Sequence, residues 1–176
     1  PFTLVLLKKL YPSPLNSNTV SSAPTPSVTF VITAHNEAKQ IKDKLDNTLE
    51  LDRSGLDVQI IVASDFSTDG TDEIVESYAG QGVELVRADQ HLGKEYAQLC
   101  GIRSSKGDII VFSDAATRLQ PTVLKTLLTY FDDPAIGSLS SEDRFLTANG
   151  EVAGEGYYVK YEMWLRNLES HCAGLV

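Results

Sequence analysis

The sequence predicts an α/β fold in which a mainly parallel sheet carries helices on both faces. Three observations support this prediction. Apolar runs rich in β-branched residues recur from Val28 onward, segments of helix length separate them, and polar or acidic residues follow the ends of the runs. Strands that alternate with helices are typical of parallel sheets that are covered on both faces. Ligands of such sheets bind beyond the carboxyl ends of the strands.

Four segments have the composition of buried strands in this sheet. They are Val28 to Ala34, Val58 to Ala63, Val83 to Arg87, and Asp108 to Phe112 followed by Ser113-Asp114. Further along the chain, Ile136 to Ser140 predicts another strand. Residues 142–148 and 150–153 predict an antiparallel hairpin around Ala148-Asn149-Gly150.

Helices are predicted between and after these strands. The first extends to Leu51, with Asn36 as its N-cap and Glu37 as an anion in its first turn. The second covers Gly70 to Ala79, with Asp69 and Asp72 in a capping arrangement. The other two are Gly93 to Ser104, and a helix from Pro121 to Phe131. A C-terminal stripe at helical spacing favours core packing over a sugar platform: Tyr157, Tyr161, Trp164, Leu165 and Leu168.

The 176 residues are sufficient for one domain, which we expect to span residues 28–176. Residues 1–27 are predicted to be a leader or linker, because Tyr11 to Ser27 is rich in Pro, Ser, Asn and Thr. The apolar run Phe2 to Leu7 is too short to span a bilayer alone. It is either the end of a membrane helix, with Lys8 and Lys9 on the cytoplasmic side, or an amphipathic or disordered leader.

Charge limits the classes of partner. The chain has 15 Lys and Arg against 24 Asp and Glu, a net charge of −9, and no basic cluster. Such a surface repels a phosphate backbone, so we expect no nucleic-acid partner. A phosphorylated small molecule remains a candidate ligand if a metal ion or a few local donors neutralise its charge.

Acidic residues that follow three predicted strands form the candidate site. Glu37, Asp65 and Asp114 would face one crevice, where carboxylates can accept hydrogen bonds from ribose hydroxyls or hold a divalent cation against phosphates. Lys94 follows Gly93 at a predicted helix start, which is a suitable place to bind phosphate. The alternative for each carboxylate is that it only caps the helix that follows.

Several common site motifs are absent. No G-x-G-x-x-G follows the first strand, and neither G-x-x-x-x-G-K-[ST] nor G-x-S-x-G occurs anywhere. These absences disfavour dinucleotide-binding, P-loop and α/β-hydrolase sites. The histidines His35, His91 and His171 have no recognisable Ser or Cys partner; we expect His35 to orient a loop and His171 to pack or face solvent.

Four segments in order, between Val28 and the end of the chain, resemble glycosyltransferase family 2. VTFVITAHNEAKQI is similar to the first-strand motif of that family, and IIVASDFSTDGTDEIV is similar to its "DGSTDGT" segment. GKEYAQLCGIRSSKGDIIVFSDAAT resembles the approach to its D-x-D motif. GEGYYVKYEMWLRNLES resembles a stretch of its membrane-linked polysaccharide synthases.

This resemblance implies a GT-A fold, Rossmann-like and truncated on its C-terminal side, and inverting transfer from a nucleotide-diphosphate sugar to a saccharide or lipid-linked acceptor. A UDP-sugar is the favoured donor. Ala34 and Glu37 match positions that meet the nucleoside, and Asp65 matches the carboxylate that contacts base or ribose. Lys94 matches a diphosphate-side lysine, and Asp114 matches the first aspartate of D-x-D, which ligates Mg²⁺ or Mn²⁺.

The sequence departs from the family pattern in two places. Ala116 replaces the second aspartate of D-x-D and cannot coordinate a cation, so Asp114 would hold the ion with the diphosphate and water. The general base and a Q-x-x-R-W motif are expected beyond Val176, and Asp143 is better explained as a hairpin residue that pairs with Arg144.

The fragment is therefore expected to be soluble, to bind a donor and not to turn it over, while the full-length protein would act at the cytoplasmic face of a membrane. Two alternatives remain. One is a non-catalytic nucleotide-binding or assembly module. The other, weaker, is a nucleotidyltransferase, whose glycine- and arginine-rich signature AHNEAKQI lacks.

Overall fold

The computed structural model describes residues 26–133, 135–140 and 164. The predicted leader, the hairpin with Asp143, and most of the C-terminal aromatic stripe lie outside these residues. Trp164 is the described member of that stripe. It is helical, as predicted, but its side chain is 42% exposed, so it is not a fully buried core residue.

The described strands form a four-stranded parallel sheet with the order β3-β2-β1-β4. The strands are Val28–Ala34 (β1), Val58–Ser64 (β2), Val83–Arg87 (β3) and Ile109–Asp114 (β4). In register, Ala34 lies opposite Ser64 on β2, and Thr33 lies opposite Asp114 on β4. The predicted parallel α/β sheet is therefore confirmed, and three of its carboxyl ends meet around the end of β1.

Four helices accompany the strands: Ile41–Leu49 (α1), Thr71–Glu76 (α2), Lys94–Ser104 (α3) and Val123–Tyr130 (α4), with a 3₁₀ turn at Ala79–Gln81. All seven residues of β1 are buried, because helices cover both faces of the sheet. One face packs in a large core cluster with α1, α2 and α4, in which Phe30 and Ile32 of β1 contact the helix residues. The other face packs Val31 against Ala97 of α3.

α3 lies unusually close to the sheet. A Cβ atom added to Gly101 would come within 2.6 Å of Val31 Cγ1 and 3.3 Å of Ala63 Cβ. Ala97 and Gly101 are one helical turn apart and therefore share the face turned to the strands. Small residues at both positions allow this close approach.

The structure corrects the predicted start of α1. Asn36 is not its N-cap, because its backbone is left-handed (φ 54°) and its Oδ1 accepts the N–H of Thr68 at 2.8 Å. Asn36 thus joins two loops, and α1 begins only at Ile41, with Gln40 at the N-cap position but without a hydrogen bond from its side chain to the first turn. A contact between distant segments has replaced a local cap.

Four other predictions need correction. Asp72 does not cap α2; its carboxylate pairs with Arg87 and accepts the Ser64 hydroxyl at 2.5 Å. α2 is shorter than predicted, ending at Glu76, and α4 begins at Val123 after a turn at the proline. Ile136 to Ser140 is not a strand, because its backbone joins none of the four strands of the sheet.

The chain divides into two units. One comprises Ser22–Thr129 and contains the whole sheet, and the other comprises Pro1–Ser21 with Tyr130–Val176. Within the part of the chain that the structure describes, no helix has the length and apolar character needed to cross a bilayer.

Candidate functional site

A crevice of about 290 Å³ opens at the carboxyl ends of the strands. Every residue predicted for the site lines this crevice: Ala34, Glu37, Asp65, Lys94 and Asp114. Ala116, which replaces the second aspartate of D-x-D, lines it as well. They come together because β1 lies between β2 and β4, so the loops after three neighbouring strands border the same space. Their predicted roles in ligand binding remain predictions.

Asp65 is buried directly after β2, and both its carboxylate oxygens have partners in the protein. Oδ1 accepts the backbone N–H of Gly93 at 3.3 Å, and Oδ2 lies 2.8 Å from Nδ1 of His91. Asp65 therefore holds the loop that leads into α3 and presents Lys94. A carboxylate can accept about four hydrogen bonds, so acceptor capacity remains for a ligand.

Two histidines stack beside Asp65. The ring centroids of His35 and His91 are 4.4 Å apart at an interplanar angle of 17°. His35 Nδ1 donates to the Asp65 carbonyl at 2.7 Å, which confirms the expectation that His35 orients a loop. Sequence reasoning missed His91 as a site residue. Its position two residues before Gly93-Lys94 was the available signal.

The ligand atoms of His35, Asp65 and His91 lie within 4.8 Å of one another, so this group could hold a metal ion. Imidazole nitrogens bind metals along lone pairs in the plane of the ring. Because the two rings are nearly parallel and stacked, one would have to rotate before both could bind the same ion.

Glu37 lies where the first loop turns into α1. Its carbonyl accepts the N–H of Ile41 at 2.8 Å, and its own N–H donates to Thr71 Oγ1 at 2.8 Å. Its carboxylate accepts a hydrogen bond from the Gln40 side chain. The next residue, Ala38, donates its N–H to the Asp69 carboxylate. The pKa of Asp69 is lowered mainly by the hydrogen bond from the Thr71 hydroxyl, and to a smaller extent by this N–H of Ala38. The first two loops are thus joined by several hydrogen bonds.

Asp114 and Lys94 form an ion pair across the crevice, with Oδ1 and Nζ 2.7 Å apart. Both side chains are about half exposed, so water and ligands can reach them. Surface ion pairs of this kind contribute little to stability, so their separation by a competing ligand costs little.

Ala116 contributes no metal ligand, but the rest of the crevice suits a hard cation that is bound together with phosphates. Mg²⁺ commonly uses one or two protein carboxylates, with water and phosphate oxygens completing its coordination. Asp114 is such a carboxylate. Thr33, which also lines the crevice, adds a buried hydroxyl that has no hydrogen-bond partner within the described ranges.

The loop after β4 is held from α1 by two side chains that sequence reasoning missed. The buried Lys44 donates from Nζ to Ser113 Oγ at 2.6 Å and to the Thr117 carbonyl at 2.7 Å. Asn47 exchanges two hydrogen bonds with the backbone of Leu119, at 3.0 and 2.8 Å. Burial lowers the pKa of Lys44 to about 8, against a smaller opposing attraction from Asp114.

Two curated proteins are similar in sequence to most of this chain. An N-acetylglucosaminyltransferase of Mesorhizobium japonicum is 30% identical over 158 residues, which cover 88% of this chain and 34% of the relative. The succinoglycan biosynthesis protein ExoO of Rhizobium meliloti is 29% identical over 107 residues, covering 61% and 30%. The chain thus spans about a third of the length of these curated relatives.

A solved structure has a similar fold. The mannosyltransferase PcManGT from Pyrobaculum calidifontis, in complex with GDP-Man and Mn²⁺, superposes with a TM-score of 0.62 at 28% identity, covering 77% of this chain and 41% of that one. The expected GT-A fold is thereby confirmed. The family model of glycosyl transferase family 2 matches residues 29–156, and the chain therefore belongs to that family.

Proposed function

We propose that residues 28–176 form the donor-binding part of an enzyme that transfers sugar, with inversion, from a nucleotide-diphosphate sugar to a saccharide or lipid-linked acceptor. One observation carries the proposal: the residues predicted from three strand ends and from the start of α3 border a single crevice. In this proposal Ala34, Glu37 and Asp65 contact the nucleoside. Lys94 contacts the diphosphate, and Asp114 holds a cation.

The ion pair between Lys94 and Asp114 supports these roles. Its two groups have the charges needed to bind a phosphate and a divalent cation, respectively. On donor binding, Lys94 would exchange Asp114 for a phosphate oxygen, which frees Asp114 for Mg²⁺ or Mn²⁺. The bound cation would neutralise charge that develops on the departing diphosphate. PcManGT in complex with GDP-Man and Mn²⁺ gives a precedent for such a ligand set.

Transfer also needs a base that removes the proton of the acceptor hydroxyl. We assign this role to none of the crevice residues, because Asp65, Glu37 and Asp114 all have partners and have roles in donor binding. We expect the 176-residue chain alone to bind a donor and not to transfer its sugar. In the whole protein we place the reaction at the cytoplasmic face of a membrane, on the basis of the apolar run Phe2 to Leu7 and the lysines that follow it.

Isothermal titration calorimetry with this chain tests donor binding. UDP, GDP and TDP are titrated separately, each with Mg²⁺ and with Mn²⁺; UDP is the expected ligand, and GDP is included because PcManGT binds GDP-Man. Asp65→Asn should weaken the binding of the preferred nucleotide by about tenfold or more, since it removes a carboxylate that both accepts hydrogen bonds and holds the Gly93 loop.

Asp57→Asn is the matched control, because this exposed carboxylate precedes β2 at the opposite end of the strand and should leave affinity unchanged. The proposal is wrong if a folded sample binds none of the three nucleotides, or if Asp65→Asn binds as tightly as the parent.

A non-catalytic binding module is the second candidate, and Ala116 favours it, because the crevice has lost one metal ligand. The two candidates differ in the behaviour of the full-length protein. Release of nucleotide from a donor sugar in the presence of Mg²⁺ or Mn²⁺ supports the enzyme; donor binding without such release supports the module.

A further inference from the structure

We infer that Lys44 is a positioning residue of the proposed donor site. From α1, it holds the loop after β4 in place and contributes a positive charge near the diphosphate. This inference rests on the proposed donor binding and extends it to a residue that does not line the crevice. The segment that Lys44 holds comprises residues 113–119, which are the last two residues of β4, including Asp114, and the loop that follows, including Ala116.

The contacts of Lys44 show how it holds the loop. It lies on α1 and is 3% exposed, and its ammonium group donates to acceptors at two ends of a tight turn, Ser113 Oγ and the Thr117 carbonyl. The N–H of Thr117 donates in turn to the Asp114 carbonyl at 3.1 Å. Asp114 is therefore bracketed by the two attachment points of Lys44.

Asn47 shows that a charge is not needed merely to attach this loop. It lies three residues further along α1 and holds Leu119 through a neutral amide. A buried ammonium group is far costlier to desolvate than an amide, so a lysine here is unfavourable for the fold by itself. Both hydrogen-bond acceptors of Lys44 are neutral, and none of the ion pairs among the described residues includes it.

The charge of Lys44 is matched instead by the crevice and its proposed ligand. Asp114 attracts the ammonium group electrostatically, and a pKa of about 8 leaves Lys44 mostly protonated at pH 7. With Ala116 in place of an aspartate, the crevice has one carboxylate fewer to recruit a cation. A fixed positive charge behind the turn would neutralise part of the negative charge of a diphosphate. An uncharged nucleoside needs no such neutralisation.

Two substitutions separate the charge from the attachment. Lys44→Met removes both, and Lys44→Gln keeps an N–H donor that is one bond shorter. Replacement of a buried charge by an apolar side chain of similar volume is often neutral or stabilising, so Lys44→Met should fold. Lys42→Met is the control: it lies on the same helix and makes the same change in net charge, but Lys42 is exposed and pairs with Asp46.

The experiment compares binding of UDP and of uridine to this chain at pH 7, both with Mg²⁺ and without divalent cation, with hydrogen exchange of the Thr117 and Leu119 amides as a second measurement. In both Lys44 variants we expect the UDP affinity to fall about tenfold and the uridine affinity by less than about twofold. Exchange should accelerate in Lys44→Met and recover in Lys44→Gln. Lys42→Met should match the parent in all three measurements.

The outcomes are distinguishable. If the parent binds neither UDP nor uridine, the proposed donor binding is wrong, and this inference falls with it. If the parent binds both but the Lys44 variants lose UDP and uridine equally, or lose neither, Lys44 has only a structural role and this inference alone is overturned.

Discussion

Phe66 has a backbone conformation that residues with side chains rarely adopt. Its φ is 58°, directly after Asp65, and it stands where the family segment "DGSTDGT" has a glycine. The Arg87 guanidinium lies 4.6 Å from the centroid of its ring, and the side chain is still 41% exposed. The cation–π contact, about 0.5–1 kcal/mol at an exposed position, offsets part of the backbone penalty of about 1–2 kcal/mol.

Two substitutions of Phe66 should differ in stability because of the backbone alone. Phe66→Gly and Phe66→Ala both remove the ring, but only alanine keeps the left-handed penalty. This penalty exceeds the extra unfolded-state entropy of glycine, so we expect Phe66→Ala to be less stable than Phe66→Gly by about 0.5–1 kcal/mol in urea denaturation.

Gln90 provides the control for Phe66. It is exposed, lies in a loop, and is not among the described residues with positive φ. There the glycine variant should be the less stable of the pair. Equal stability of the two Phe66 variants would show that the backbone at this position is not left-handed in solution.

The sequence was sufficient to identify those site residues that lie at the end of a strand. Asp65 and Asp114 directly follow apolar runs, so the end of each strand places them. Lys44 could not be identified this way. A lysine on a helix is normally solvated, and its burial depends on a loop about 70 residues away. His91 escaped notice because its partner, Asp65, belongs to a different strand end.

At the scale of the element, strands were more predictable than helix ends. β1 and most of β2 are buried on both faces, so their apolar composition alone distinguishes them. The start of a helix depends on which group a polar side chain hydrogen-bonds. Asn36 accepts the N–H of Thr68 and not an N–H of the first turn of α1. Ile136 to Ser140 failed as a strand because composition does not supply a pairing partner.

The packing of α3 on the sheet gives a prediction for two glycines. Gly101→Ala places a methyl group within 2.6 Å of Val31 Cγ1, so either α3 or the Val31 side chain must shift. We expect a loss of about 1–3 kcal/mol in the free energy of unfolding, measured by urea denaturation.

Gly80→Ala is the matched control, since a Cβ there meets nothing within 4 Å. It should be neutral or stabilising by up to about 1 kcal/mol, because alanine restricts the unfolded chain. Comparable losses in the two variants would contradict the close packing of α3.

At the scale of the whole molecule, Lys44 makes stability depend on pH. Its pKa is about 8 in the folded state against 10.5 when solvated. Between these values the unfolded chain binds more protons than the folded one, so stability rises with pH through that window. Below pH 8 both states are protonated, and the contribution no longer changes.

Lys44→Met should remove this dependence. The parent is expected to gain stability relative to the variant as the pH rises from about 8 to 10.5, by a total on the order of 3 kcal/mol. Urea denaturation of both proteins at several pH values measures the difference, in which the titration of other groups cancels. A difference that stays constant across the window would mean that the ammonium group is not buried in the folded state.

The strand order also has a consequence for the synthesis of the protein. β1, β2 and β3 are neighbours both in sequence and in the sheet, whereas β4 joins the free edge of β1 across 81 residues, where Ser27 binds Asp108. A nascent chain that has released only β1 to β3 from the ribosome therefore exposes β1 as an edge strand, and the crevice lacks its β4 side. The proposed donor site is complete only once Asp114 and the loop held by Lys44 have been translated.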